Sequence, residues 1–327
     1  MTLPVFPNPI SLNQVNVELS LAGTTLISLN QANVRTLAGV PTPLSTISMN
    51  NLHGKSNRVS LSVTLGSSAI NLSTNIDGYA GYIAGITDVV INVAAVYLYA
   101  NNTVSAGLTI FGGASGDTLT INNYGYIMGC GGNGGNGGVA GVATAGSAGG
   151  PAFSFNQNGA LTAVLNNYGY ILGGGGGGAG GGNGGSVPGY SGAGGGGPGA
   201  VGGNGNFSDP WFAGAGGGRI APGSRTTPSS AASVGGSAGG SGGGLTGGRV
   251  GKYGGGPGEQ GQQANIDTGV NAGAGGGGGG WGAAGGPLRS AFNTSEILAG
   301  GAAGAAILQN GRSVVIATAG AIYGAIV

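Results

Sequence analysis

Asn166-Asn167-Tyr168-Gly169-Tyr170-Ile171 runs within two residues into Gly173–Gly178, and the reading of that junction decides the fold. The same phrase stands upstream as Asn122-Asn123-Tyr124-Gly125-Tyr126-Ile127, again just ahead of glycine, with a weaker echo at Gly78-Tyr79-Ala80-Gly81-Tyr82-Ile83. Val59, Leu61, Val63 and Leu65 alternate with Ser60, Ser62 and Thr64, the period of a half-buried strand. Further strand-like runs lie at 89–99 and 118–128. Repetition of this kind predicts strand units stacked in layers, as in a solenoid or β-prism. Tyr124, Tyr126, Tyr168 and Tyr170 are expected to stack as core ladders rather than to serve as ligands.

Downstream the chain changes character. Gly173–Gly178, Gly180–Gly182, Gly194–Gly197 and Gly275–Gly280 are pure glycine, and bulkier inserts separate them. Collagen register is absent, because glycine does not fall at every third position among prolines. Polyglycine can instead take an extended, left-handed, three-fold helix whose N–H and C=O groups point sideways. Buried, those groups must find partners on neighbouring helices, and the missing Cβ lets the helices approach. Glycine loses much conformational entropy on ordering, so such a bundle requires many cooperating runs.

Composition supports order. Glycine supplies 83 of 327 residues, yet charged residues are only 5% and the formal net charge is +1; mean hydropathy is +0.21. Disordered glycine-rich linkers are hydrophilic, whereas this chain carries Ala, Val, Ile and Tyr. Scattered Lys and Arg argue against nucleic acid, which demands a basic stripe. G-x-G-x-x-G matches arise here from glycine abundance alone and indicate no phosphate site. Cys130 is the single cysteine, so neither an intrachain disulfide framework nor a CxxC metal site is expected; a small buried thiol is the preferred reading. His53 has no ligand cluster around it and reads as a solvated turn. The eight acids form no close pair or motif, which leaves a glycosidase disfavoured. No signal peptide, membrane span, metal or cofactor is expected, and the chain reads as a binding protein rather than an enzyme.

Residues 1–57 are different again. Ile10-Ser11-Leu12-Asn13-Gln14 recurs as Ile27-Ser28-Leu29-Asn30-Gln31 and loosely as Ile47-Ser48-Met49-Asn50-Asn51. The S-x-x-Q form predicts capping boxes, with Ile10/Val15 and Ile47/Leu52 as hydrophobic staples. Short helices are expected at about 12–20 and 29–37, and one turn near 49–52. The fold class is therefore mainly β and irregular. It divides into a small module of short capped helices over 1–57, a β-strand layer region over 58–128, and a glycine-rich polyglycine II region over 129–327.

From about residue 89 to 327 the chain resembles the glycine-rich receptor-binding tips of bacteriophage tail fibres and tail-tip proteins. The resemblance rests on Ile121-Asn122-Asn123-Tyr124-Gly125-Tyr126-Ile127-Met128-Gly129 with Gly131-Gly132-Asn133-Gly134-Gly135, then on Gly149-Gly150-Pro151-Ala152 and the second Asn-Asn-Tyr-Gly-Tyr-Ile. Gly300-Gly301-Ala302-Ala303-Gly304-Ala305-Ala306-Ile307 and Tyr323-Gly324-Ala325-Ile326 close the pattern. Cys130 departs from it, standing where a longer, often basic residue is usual. The resemblance implies a layered polyglycine II sandwich with variable loops at one end that grip the host. It implies a virion protein at the distal tail tip or tail fibre, made in the host cytoplasm. Its target would be a host outer-membrane protein or a surface polysaccharide, and either one copy or a homotrimer would sit at the tip. The Ile-Ser-Leu repeats resemble a short module of phage tail structural proteins, implying attachment to other tail proteins through residues 1–57.

Between glycine runs lie the inserts Ser186–Ser191, Asn204–Ala213, Arg219–Val234, Arg249–Tyr253, Pro257–Ala272 and Pro287–Ile297. Aromatic rings and Arg carry much of the energy in binding hot spots. The candidate receptor contacts are Tyr190, Phe207, Trp211, Phe212, Arg225, Tyr253, Gln260, Gln263, Asp267, Trp281 and Phe292. The bland alternative is that the rings only seal the glycine core against water. Two rival roles are a structural tail-tip cap without receptor contact and a polyglycine-bundle ice-binding protein.

Overall fold

The computed structural model describes residues 2–40, 45–136, 143–156, 161–180, 264–265, 276–289 and 297–327. Near the N-terminus, α1 (Leu12–Glu18) begins on Ser11, whose hydroxyl accepts the Gln14 N–H at 3.2 Å while the Ser11 N–H donates to Gln14 Oε1 at 2.7 Å. Two orphan donors of the first turn are thus satisfied reciprocally. Ser48 repeats the pattern at the 3-10 turn Met49–Leu52, its N–H donating to Asn51 Oδ1 at 2.9 Å. The middle copy keeps half of the box, with the Ser28 N–H donating to Gln31 Oε1 at 3.3 Å, but no helix starts there. Gln31 N–H bonds back to Ser28 C=O, which closes a turn, and α2 (Ala32–Ala38) starts only after it. Leu3, Val15, Val34, Leu37, Ala38 and Leu52 form a small core, with Ile10 and Ile47 packed against it as staples do. His53 is not a free turn residue. It is half-buried, its Nδ1–H donates to Pro4 C=O at 3.1 Å, and Phe6 meets its ring edge-on.

From Val59 the chain winds as a coil of parallel strands on three faces. The first face holds β1 (Val59–Leu65), β4 (Thr87–Val93), β7 (Thr118–Asn123), the first half of β10 (Ala163–Leu172) and β15 (Val314–Tyr323). The second holds β2 (Ala69–Ile70), β5 (Tyr97–Tyr99), β8 (Tyr126–Met128), the second half of β10 and, paired to it, the last three residues of β15. The third holds β3 (Leu72–Asn75), β6 (Leu108–Phe111), β9 (Phe153–Asn156) and β14 (Ile307–Leu308). Pairing in register puts like on like: Leu61, Val89, Leu119, Ala163 and Val314 form one inward stack. Val63, Ile91, Ile121, Leu165 and Ile316 form the next. One turn cannot bury its own apolar side chains, so the core exists only because turns stack.

Successive turns differ at one corner, between the second and third faces. Asn71 alone joins β2 to β3, residues 100–107 join β5 to β6, residues 129–152 join β8 to β9, and residues 173–306 join β10 to β14. The glycine-rich runs are therefore excursions from a single corner of the coil. Because β9, β10, β14 and β15 are further rungs, the coil continues across the boundary expected at residue 129.

Within the excursions the backbone bonds laterally at every third residue. Gly129, Gly132 and Gly135 donate to Leu172, Gly175 and Gly178, each at 2.8 Å. Gly174, Gly177 and Gly180 donate to Gly150, Ser147 and Thr144 at 2.9–3.0 Å, and Gly301 and Gly304 donate to Gly177 and Gly174 at 2.7 Å. Gly276, Gly279 and Gly282 donate to Ala179, Gly176 and Gly173 at 2.7–2.8 Å. Residues 172–180 are fully enclosed by these neighbours. A Cβ on Gly174, Gly176 or Gly177 would stand 1.8–1.9 Å from a carbonyl oxygen of the adjacent run. Only glycine permits that separation, and the buried N–H groups of Gly173, Gly174, Gly176, Gly177, Ala179 and Gly180 are each paired with a neighbouring segment.

Candidate functional site

The repeated phrase is the joint between coil and glycine. Its first asparagine faces outward: Asn166 Nδ2 donates to Asn122 Oδ1 and Asn122 Nδ2 to Asn92 Oδ1, both at 2.9 Å. Its second turns inward at the corner, where Asn123 Nδ2 donates to Asn167 Oδ1 at 2.7 Å with both residues fully buried. Gly125 and Gly169 let adjacent turns touch, since a Cβ there would meet carbonyl oxygens at 2.3 and 2.1 Å. The tyrosines do stack, at 5.1 Å for Tyr124 on Tyr168 and 4.6 Å for Tyr126 on Tyr170, and Tyr97 extends the latter pair. They stack on the outside of the coil, however, and Tyr124, Tyr168 and Tyr170 are exposed, so they are not core ladders. Burial, followed by its neighbours Tyr170 and Tyr97, raises the Tyr126 phenol above its ordinary pKa.

Beyond this joint the glycine runs extend to a far end marked by four contacts. Gly135 bonds Gly178, Thr144 bonds Asn136, Gly180 bonds Thr144, and Gly276 bonds Ala179. Ala179 also packs with Leu288 and Leu298. These leucines belong to a small sheet of β11 (Ala264–Asn265), β12 (Leu288–Arg289) and β13 (Ile297–Leu298). The stretches 137–142, 181–263, 266–275 and 290–296 thus all leave from and return to residues gathered at this one end. Tyr190, Phe207, Trp211, Phe212, Arg225, Tyr253, Gln260, Gln263, Asp267 and Phe292 lie within those stretches, outside the described residues.

Trp281 is the one candidate contact that is described, and it must be corrected. It is 2% exposed and clusters with Met128 and Leu172, with Tyr97, Tyr99, Tyr126 and Tyr323 packed around them. A ring sealed at the joint offers no face to a receptor, so it caps the core. The signal was in its position, directly after Gly275–Gly280, where the chain returns to the coil: Gly282 donates to Gly173 at 2.7 Å. Cys130 is buried in the first glycine run.

The described acids are occupied by the fold. Asp88 binds Arg58 at 2.6 Å and accepts the Thr118 hydroxyl; the hydrogen bond from Arg58 holds its carboxyl below the usual range. Asp117 accepts from the Thr87 and Ala114 N–H groups and from Tyr82, whose phenol is pushed up by burial first and then by Asp117. Asp77 accepts the Gly113 N–H, and Glu18 accepts from Ser56 and Asn57. Among the described residues no group of three His, Cys, Asp or Glu side chains could hold a metal, and no helix is long and apolar enough to cross a membrane.

A model of the phage tail fibre adhesin Gp38 family matches residues 58–223, just over half of the chain and all of the coil up to β10. The chain belongs to the Gp38 family of phage tail fibre adhesins. Among solved structures, this adhesin is similar to a chain of the gp37–gp38 adhesin tip complex of the bacteriophage S16 long tail fibre. The two share 24% identity over 90% of this chain and 91% of that one, with a TM-score of 0.41. No curated protein matches the adhesin. Family membership makes it a virion protein of the tail fibre, and its regular elements among the described residues are mostly strands, with few helices.

Proposed function

We propose that this adhesin recognises a host-cell surface receptor through the segments carried at the far end of its glycine lattice. The receptor is an outer-membrane protein or a surface polysaccharide. Residues 1–57 fix the adhesin to another tail fibre protein, as one copy or as a homotrimer, and the protein acts by binding rather than catalysis. The glycine region is a polyglycine II sandwich, a reading supported by lateral donors at every third residue. One observation carries the proposal. The described residues that bound 137–142, 181–263, 266–275 and 290–296 are gathered at the same end of the lattice, away from the coil that leads to the N-terminal module. Loops held on a rigid scaffold are where binding residues concentrate. Phe207, Trp211 and Phe212 flank Asp209-Pro210, and proline stiffens that segment and lowers the ordering cost of binding. Gln260, Gln263 and Asp267 supply polar partners, with Tyr190, Arg225, Tyr253 and Phe292 completing the candidate set.

The test is competition for adsorption. Purified full-length adhesin should coat host cells and block phage attachment. Trp211→Ala, and Gln260 and Gln263 exchanged together for Ser, should each melt as the parent does yet weaken blocking by about tenfold or more. A chain lacking residues 2–55 should still coat cells but be missing from assembled particles. Unimpaired blocking by both loop variants would remove the receptor from these inserts and favour a purely structural cap.

A further inference from the structure

The third face of the coil carries a cleft that plays no part in the receptor reading. Its floor is the outward row Ser73, Thr109, Ser154 and Leu308, one residue from each successive strand in register. Residues 104–106 rise over one side and Asn156 and Asn310 stand on the other, enclosing about 350 Å³. The raised wall is braced. Asn71 and Asn101 bond each other reciprocally, with Asn71 Nδ2 donating to Asn101 Oδ1 at 2.6 Å and the Asn101 N–H to Asn71 Oδ1 at 3.1 Å. Asn102 Oδ1 accepts the Val104 and Ser105 N–H groups at 3.0 and 2.7 Å. Opposite, Asn310 is set in the left-handed region, at φ 48, and its amide donates to Ser154 Oγ at 3.2 Å. The cleft is therefore shaped before any ligand arrives, which reduces the ordering cost of binding.

Its chemistry narrows the ligand. Hydroxyls and amides line it, each able to donate and to accept, and no charged side chain does. An anionic ligand would call for Arg or Lys, and a nucleic acid for a basic stripe. A drug-like apolar molecule would call for mainly hydrophobic and aromatic walls. What remains is a ligand dense in neutral hydroxyls with small C–H faces, which Val104 and Leu308 can cover. The volume lies at the low end of the ~300–1,000 Å³ usual for ligand sites, so the fit is to a short segment of sugar. Floor groups repeat at the strand spacing of about 4.8 Å, close to the width of a pyranose ring.

We infer that this face binds a neutral saccharide, as a site separate from the receptor loops. Full-length adhesin should be applied to an array of neutral and anionic oligosaccharides drawn from both lipopolysaccharide and capsule, with the best binder then titrated calorimetrically. The expected result is selective retention of neutral glycans from one of these sources. Thr109→Tyr, which fills the floor from its outward position, should weaken the titrated binding about tenfold or more. Val104→Arg, an 89% exposed wall residue whose change cannot disturb the core, should do the same, while Ser60→Tyr on the first face should change nothing. Absence of any neutral glycan binding overturns the inference. So does unchanged affinity in the folded Val104→Arg variant, or a preference for anionic glycans. Because Val104 and Thr109 lie on the coil and not among the loop candidates, loss of binding in their variants assigns the glycan to this cleft, whereas a glycan held by the loops would leave it unchanged.

Discussion

Gly177→Val is expected to abolish folding of the glycine-rich region, with a loss exceeding about 4 kcal/mol, beyond the range of most single substitutions. A Cβ on Gly177 would lie 1.9 Å from Asn133 O and 2.4 Å from Asn133 C. These are backbone atoms, so no rotamer change relieves the clash and the two runs must separate. Separation breaks the 2.8 Å bonds from Gly132 to Gly175 and from Gly135 to Gly178, leaving buried peptide groups unpaired. Soluble yield and calorimetric melting measure the effect. The matched control is Gly66→Ala, where a Cβ would meet nothing within 4 Å; its change should stay within about 0.5 kcal/mol. Glycine abundance alone cannot separate these two positions, and their environments do. Parent-like melting of Gly177→Val would mean that the runs do not pack as described.

Asn123→Asp should cost about 3–5 kcal/mol at neutral pH, the scale of an uncompensated buried charge. Asn123 is fully buried, and its amide donates to Asn167 Oδ1 at 2.7 Å while its Oδ1 accepts the Gly125 N–H at 3.1 Å. A carboxylate keeps the second contact but sets oxygen against oxygen in the first. Burial and that repulsion both disfavour the charged form, so the folded-state pKa would lie above the unfolded value. The loss is then full above the raised folded pKa and shrinks as pH falls through it, towards the ordinary carboxylate range. Urea unfolding at neutral and mildly acid pH should show the recovery. Asn166→Asp, at the other asparagine of the phrase, touches a half-buried outward ladder and should cost only about 1 kcal/mol. Equal losses in the two variants would refute the inward and outward assignment.

That contrast marks how far the residues themselves could be read. The two Asn-Asn-Tyr-Gly-Tyr-Ile copies are equivalent positions of neighbouring turns, with Tyr126 paired to Tyr170 and Asn122 to Asn166. The echo at Gly78–Ile83 is not a third copy: it lies in a corner where Tyr82 serves Asp117. The true preceding turn is Asn92-Val93 and Tyr97-Leu98, aligned with Asn122-Asn123 and Tyr126-Ile127. It was obscured by one extra residue at the bend. The third face escaped notice because β3, β6 and β9 are four residues long, and its last two members, β9 and β14, lie beyond glycine excursions. Their burial comes from stacking across distant sequence, which local periodicity cannot register. Helix α2 starts late for a local reason, since the Ser28–Gln31 turn closes before the helix begins. Trp281 shows the opposite limit. An aromatic beside glycine suits a binding tip or a sealed joint equally well, and only the packing of Tyr97, Tyr126 and Tyr323 around it decides for the joint.

Display of loops at one end requires the glycine-rich excursions to be an ordered platform rather than a tether. Amide hydrogen exchange on the intact adhesin tests this most directly, because slow exchange requires N–H groups that are buried and bonded. Gly132, Gly174, Gly177, Gly301 and Gly304, each bonded to a neighbouring run at 2.7–2.9 Å, should exchange as slowly as the core strands β7 and β10. Exchange of these glycines at the rate of an unfolded peptide, while β7 and β10 stay protected, would contradict the platform and with it the proposed placement of receptor-binding loops.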